Sequence, residues 1–200
     1  MYNSDNYQKH TTNNPVKRKM INRFNISLIE LIRKIKPGNS FSILDAGCGE
    51  GFGISLVNEA FPESEITGID FSYKALSVAL EGNSINYIQG NVYHLPVETN
   101  FFDIVLCSEV LEHLQNPEDA LLELNRVSAN WVICTVPNEP WFRLGNLLSL
   151  KNVIRLGNPH DHINHFSIGQ FANFVSSVIG YRVKSFSAFP WSVVYYKKAT

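Results

Sequence analysis

The stretch Ser42-Ile43-Leu44-Asp45-Ala46-Gly47-Cys48-Gly49-Glu50-Gly51-Phe52-Gly53 decides how this chain folds. Ser42-Ile43-Leu44 reads as the end of a buried strand, and Asp45 closes it. Glycine then alternates with other residues at 47, 49, 51 and 53, and a helical pattern follows from Ile54 to Ala60. A strand that breaks into a glycine-rich turn and opens a helix offers backbone N–H groups to a ligand with no Cβ in the way. That is a nucleotide site. The dinucleotide fingerprint G-x-G-x-x-G would need glycine at 52 or 54, where the chain has Phe52 and Ile54. No Gly-Lys-Ser/Thr follows, so a P-loop does not fit either.

Outward from this turn, strands and helices alternate. Glu65 to Asp70 reads as a second strand ending in an acid. An acid about 20 residues past such a turn can accept hydrogen bonds from both ribose hydroxyls of an adenosine. The next helix, Ser72 to Leu80, is stopped by Gly82-Asn83. A third strand, Ile85 to Gln89, runs into the loop Gly90 to Pro96, and a fourth begins at Phe101 and leads to Ser108-Glu109-Val110-Leu111-Glu112-His113-Leu114. Pro117 to Val127 is helical, Trp131 to Val136 is a fifth strand, and Ser167 with Gln170 fits a capping box for a helix ending at Ile179. Tyr181 to Ala188 and Trp191 to Lys198 close the chain as a pair of strands. Such alternation predicts an α/β fold with a parallel sheet covered on both faces.

The polar N-terminus, residues 1–15, is expected to be loose. Residues 16–35 form a helix, with Met20, Phe24, Leu28, Leu31 and Ile35 recurring at three- and four-residue steps. Its Lys17-Arg18-Lys19 cluster reads as a solvated face, with contact to an anionic acceptor as the alternative. Residues 137–166 are too long for a plain connection. Their Trp141, Phe142, Leu144, Leu147, Leu148, Val153, Ile154 and Leu156 read as an apolar, partly helical insertion walling the acceptor side of the site, as a packed cover without substrate contact, or as a segment dipping into a membrane for a lipid acceptor.

At 200 residues the chain is one domain's worth. A formal net charge of −1 gives no global positive field for nucleic acid or acidic membrane. Cys48, Cys107 and Cys134 lie in or beside buried-strand patterns without metal spacing, and read as reduced thiols of a cytoplasmic protein. No apolar run approaches the roughly 18 residues of a membrane span, and the start lacks a signal-peptide core.

The acid-x-Gly-x-Gly-x-Gly turn, Asp70 and the fourth-strand segment, in this order and spacing, resemble class I S-adenosylmethionine-dependent methyltransferases, from roughly Phe41 to Lys198. A tight turn in some other doubly wound fold, with Asp70 as a helix cap, is the plain alternative. The resemblance implies a Rossmann-like seven-stranded sheet, mostly parallel, with helices on both faces and the last strand antiparallel. It also implies a single domain over 16–200, with residues 16–35 as a lid helix. S-adenosylmethionine would be the cofactor, met by Asp45, Gly47, Gly49, Gly51, Asp70, Phe71, Asn91, Val92 and Cys107. Asn91 stands where the family usually has an aspartate accepting from the adenine amino group, and its side-chain oxygen can still accept. Cys107 lies where backbone meets the methionine half.

Methyl transfer from a sulfonium asks the protein for alignment, exclusion of water and, where needed, removal of a proton from the acceptor. Glu109, Glu112 and His113 have i, i+3, i+4 spacing, which on a helical turn is one face. Three histidines, His160, His162 and His165, crowd the segment before the last helix. His113, His162, Glu112 and His165 are therefore the candidate catalytic residues. The Glu-x-x-Glu-His pattern resembles ubiquinone-biosynthesis O-methyltransferases and small-RNA 3′-terminal ribose O-methyltransferases. In the second group two glutamates and two histidines bind a divalent metal, and here Glu109, Glu112, His113 and His162 would match, with Asp161-His162 before Phe171. Ile163-Asn164-His165 departs from that group. The expected activity is O-methylation of a small-molecule acceptor (a phenol or quinol, a sugar or a lipid headgroup) by a metal-free histidine base. A metal-assisted RNA ribose methyltransferase and a non-catalytic cofactor-binding subunit are the alternatives, and the acceptor and oligomeric state stay open.

Overall fold

The computed structural model describes residues 4–36, 38, 40–82, 85–139 and 162–199. Helices α1 (Asp5–His10) and α2 (Pro15–Ile35) precede strand β1 (Ser42–Ala46). Then come α3 (Phe52–Ala60), β2 (Glu65–Asp70), α4 (Tyr73–Gly82), β3 (Asn86–Gln89), β4 (Phe102–Ser108), a single 3₁₀ turn (Leu111–His113), α5 (Pro117–Val127) and β5 (Ser128–Pro137). Past residue 162 follow α6 (Ile168–Ile179), β6 (Lys184–Ala188) and β7 (Trp191–Lys197).

The seven strands lie in the order β3-β2-β1-β4-β5-β7-β6. Five central and outer strands run parallel, while β7 is antiparallel to both β5 and β6. This is the expected Rossmann-like sheet with its last strand reversed. Strand order turns back between β1 and β4, so a crevice opens past their carboxyl ends.

Side-chain alternation along each strand splits the core in two. Ile43, Ile104, Leu106, Ile133 and Val193 pack beneath α2 and α3, whereas Leu44, Val105, Cys107, Val132, Cys134 and Val194 pack beneath α5 and α6. Near-continuous apolar runs in β1 and β4 follow from this, because both faces of a covered parallel strand are dry. All three cysteines are buried and unpaired by disulfides. Helix ends obey their local signals. Asn14 caps α2 through Oδ1, Ser167 and Gln170 form the reciprocal capping box on α6, and Gly180 ends α6 in the left-handed conformation.

One expectation is overturned at the N-terminus. Instead of a loose tail, Ser4 caps α1, and α1 lies against the glycine turn. Ser4 Oγ and Asn6 Nδ2 donate to Glu50, Lys9 pairs with Glu109, and the His10 ring stacks on Phe52 at 4.8 Å. Polarity misled here, because these polar side chains pair with buried Glu50 and half-buried Glu109 rather than with water. The insertion expected at 137–166 lies mostly outside the described residues, including Trp141 to Leu156, His160 and Asp161. Asn83 also lies outside them. No helix among the described residues is long and apolar enough to cross a membrane.

Candidate active site

Backbone conformation at the turn after β1 demands glycine. Gly47 and Gly51 have φ of +84° and +77°, where side chains strain, and a Cβ would strike Val110 in one case and the Tyr87 hydroxyl in the other. Gly53 sits within α3 with open space around it, so the fourth glycine of the pattern answers no such constraint. The turn is tied down from the next strand. Gly47 N and Cys48 N donate to Ile69 O at 2.7 and 3.1 Å, and Gly49 N donates to Asp70 Oδ2 at 2.8 Å. Asp70 Oδ1 accepts from Ser72 N at 2.7 Å. Carboxylate oxygens carry further lone pairs, so Asp70 retains acceptor capacity toward a ribose.

Asp45 sits under this turn, 4% exposed, with Oδ1 lacking a hydrogen-bond partner among the described residues. Burial, and then repulsion from Asp70, pushes its carboxyl up to about 7. An orphaned buried acid beside a glycine cradle fits a cationic ligand group. The folded value lies above the unfolded one near 4, so Asp45's contribution is whole below about pH 4 and is lost as pH rises through about 7. Ligand-free protein is therefore expected to lose at most about 4 kcal/mol of stability over that window. Asp45→Asn should flatten the profile in urea melts taken across it. A wild-type profile already flat would remove the buried-acid assignment.

The other expected cofactor residues lie in the loops after β2 and β3 and near the end of β4. Asn91 is exposed, and its Oδ1 accepts from Tyr93 N at 3.0 Å in a local turn. Its acceptor is thus partly used by its own loop. Phe71 is 76% exposed beside Asp70, and Val92 is half-buried. The Cys107 side chain is wholly buried in the core beneath α5 and α6, which leaves only its backbone for a ligand.

The acidic and histidine residues after β4 divide into two groups. Glu109 has φ of +57° and the 3₁₀ turn starts at Leu111, so the three residues do not share the face that helical spacing predicted. Glu109 turns instead to Lys9, whose ammonium also lies 4.9 Å over the Trp191 ring. Burial opposes ionisation of Glu109, but the Lys9 charge and hydrogen bond outweigh it and hold the carboxyl below its ordinary range. Glu112 is buried, and its side chain meets those of His113 and His162. The His113 and His162 rings lie 4.9 Å apart edge to face. His165 and the buried Glu139 also gather at His162, with His165 Nδ1 3.8 Å from Glu139 Oε1.

Asn164 explains this convergence. Its Nδ2 donates to Leu111 O and Leu114 O at 3.2 and 2.7 Å, while Ile163 N and Asn164 N both donate to Glu112 O at 2.9 Å. Glu139 N donates to Phe166 O at 3.0 Å. The histidine segment is thereby stitched to the ends of β4 and β5, at the carboxyl edge of the sheet where the glycine turn also opens. Asn164, Lys9 and Glu50 were not singled out from sequence, since a lone polar residue carries no periodic signal.

Donor atoms of Glu112, His113 and His162 lie within 4.8 Å of one another, as do those of Glu139, His162 and His165. Glu109 belongs to neither triad, so the four-residue metal set inferred from the sequence is not the set the fold assembles.

Comparison with known proteins agrees with this architecture. A family model described as a methyltransferase domain matches residues 44–131, from β1 into β5. The ubiquinone biosynthesis O-methyltransferase of Nitrosospira multiformis is 42% identical over 125 residues, covering 57% of this chain and 51% of that protein. The demethylmenaquinone methyltransferase of Bacillus mycoides is 32% identical, covering 62% and 57%. The plantazolicin methyltransferase BpumL, solved with a desmethyl analogue and S-adenosylhomocysteine (SAH), superposes with a TM-score of 0.73 at 19% identity, covering 98% of this chain and 89% of that one. The chain spans between 38% and 62% of the length of the first curated relatives it matches. With the glycine turn, strand order and sequence matches in agreement, the chain belongs to the class I S-adenosylmethionine-dependent methyltransferases.

Proposed function

We propose that this chain binds S-adenosylmethionine over the glycine turn and methylates a hydroxyl of a small molecule, a quinol-type ring being the acceptor that its relatives' names favour. The observation that carries the reading is the convergence of His113 and His162, flanked by Glu112 and Glu139, at the sheet edge that also bears the turn. The cofactor, when bound, supplies an electrophilic methyl group on a sulfonium. Within this chain, Asp70 would hold the ribose and Asp45 would answer the ligand's positive charge. His113 or His162 would take the proton that the acceptor hydroxyl gives up, and the flanking carboxylates would stabilise the imidazolium formed. Residues 16–200 would act as one domain, and α1 would cover the turn.

The two donor triads favour a second reading, in which Glu112, His113 and His162, or Glu139, His162 and His165, would hold a divalent cation that would acidify the acceptor hydroxyl. Mixed imidazole and carboxylate donors suit Mn²⁺, Co²⁺ or Zn²⁺ better than Mg²⁺. The experiment for the main reading is calorimetry with SAH, followed by transfer of a labelled methyl to a catechol or quinol. SAH should bind one to one, and label should appear on the acceptor oxygen. A folded protein that binds no SAH would overturn the proposal.

A further inference from the structure

A net charge of −1 conceals a strong asymmetry, because α2 alone carries six basic residues and one acid. Its buried face is Ile21, Phe24, Leu28, Leu31 and Ile32. Helical spacing puts Pro15, Arg18, Lys19, Asn22, Arg23 and Ile26 on the opposite face, where all six are exposed and line one shallow depression. Among the described residues, Arg18, Lys19 and Arg23 make no ion pair. Ile26 is 55% exposed within this stripe, and Val16 is 65% exposed at its edge. Glu30, the helix's one acid, comes a turn after Ile26.

Orientation gives the stripe a meaning. The carboxyl end of α2 is pinned at the amino end of β4 by Lys36 Nζ, 2.7 Å from Asp103 Oδ1. Phe24, nearer the other end, packs 4.8 Å from Trp191, which pairs with Pro137 at the carboxyl end of β5. The cationic half of α2 therefore sits at the rim from which the candidate active site opens. Three unpaired cations interleaved with exposed aliphatic side chains match an anionic bilayer surface, which attracts the charges and accepts the apolar groups between headgroups.

We propose that this face of α2 docks the protein on anionic phospholipid membranes, with the cleft rim toward the bilayer. Delivery of a bilayer-held acceptor to that rim rests on the methyl-transfer reading; the docking itself does not, and is measured without cofactor.

The test sediments the full chain with phosphatidylcholine vesicles, with and without phosphatidylglycerol, at about 0.1 M salt. Binding should require phosphatidylglycerol and weaken as salt is added. Charge near such a surface is additive enough that Arg18→Glu, Lys19→Glu and Arg23→Glu together should lower partitioning by roughly 100-fold or more. Ile26→Ser should lower it several-fold, while SAH calorimetry stays as in the wild type. Equal sedimentation with both vesicle types would overturn the proposal, as would a triple variant that sediments like the wild type. Retention of an RNA oligonucleotide without vesicle binding would assign the stripe to nucleic acid and overturn it too.

Discussion

Replacing His113 or His162 with alanine is expected to lower kcat/KM for the methyl acceptor by about 10²- to 10⁴-fold, the range for loss of a positioned general base. Both rings belong to one cluster, 4.9 Å apart, with buried Glu112 beside both and the His165–Glu139 pair beside His162. The double variant should therefore lose little more than the worse single one, as for residues that act as a unit. SAH affinity should hold, because neither ring belongs to the glycine turn. Added imidazole should restore part of the rate to His162→Ala if the ring only moves a proton. Chelator separates the two readings. It should leave the rate unchanged for a simple base, whereas a cation at the triads predicts loss with chelator and return with Mn²⁺, Co²⁺ or Zn²⁺. Full activity in both alanine variants would remove the cluster from the chemistry altogether.

Asp70→Ala is expected to weaken SAH binding by roughly 2–4 kcal/mol, which is about 30- to 800-fold. Two ribose hydroxyls donating to a charged acceptor account for most of that. The remainder comes from the turn itself, since the same carboxylate holds Gly49 N at 2.8 Å and Ser72 N at 2.7 Å. Loss of those two bonds should lower thermal stability as well, so calorimetry is read alongside a melt. Asp70→Asn keeps one acceptor oxygen and should fall between wild type and alanine in both measurements. Unchanged SAH affinity in a folded alanine variant would sink the ribose assignment.

The sequence by itself determined the strands and helices of the sheet, the glycine turn and most helix ends. Each rests on a local rule: period-two or period-3.6 burial, glycine where φ must be positive, and caps such as Ser167 with Gln170. Even the split of the core into two layers is written in alternate residues of β1, β4 and β5. The tertiary structure decided which functional groups meet. Lys9 reaches Glu109 across a separation of 100 residues, Ser4 and Asn6 reach Glu50 across 46 and 44, and Asn164 clamps Leu111 and Leu114 across 53 and 50. No local period encodes such pairings. Glu109 shows the physical reason most plainly: spacing placed it on a helical face with Glu112 and His113, but its positive φ and its pairing with the Lys9 ammonium turn it away from them.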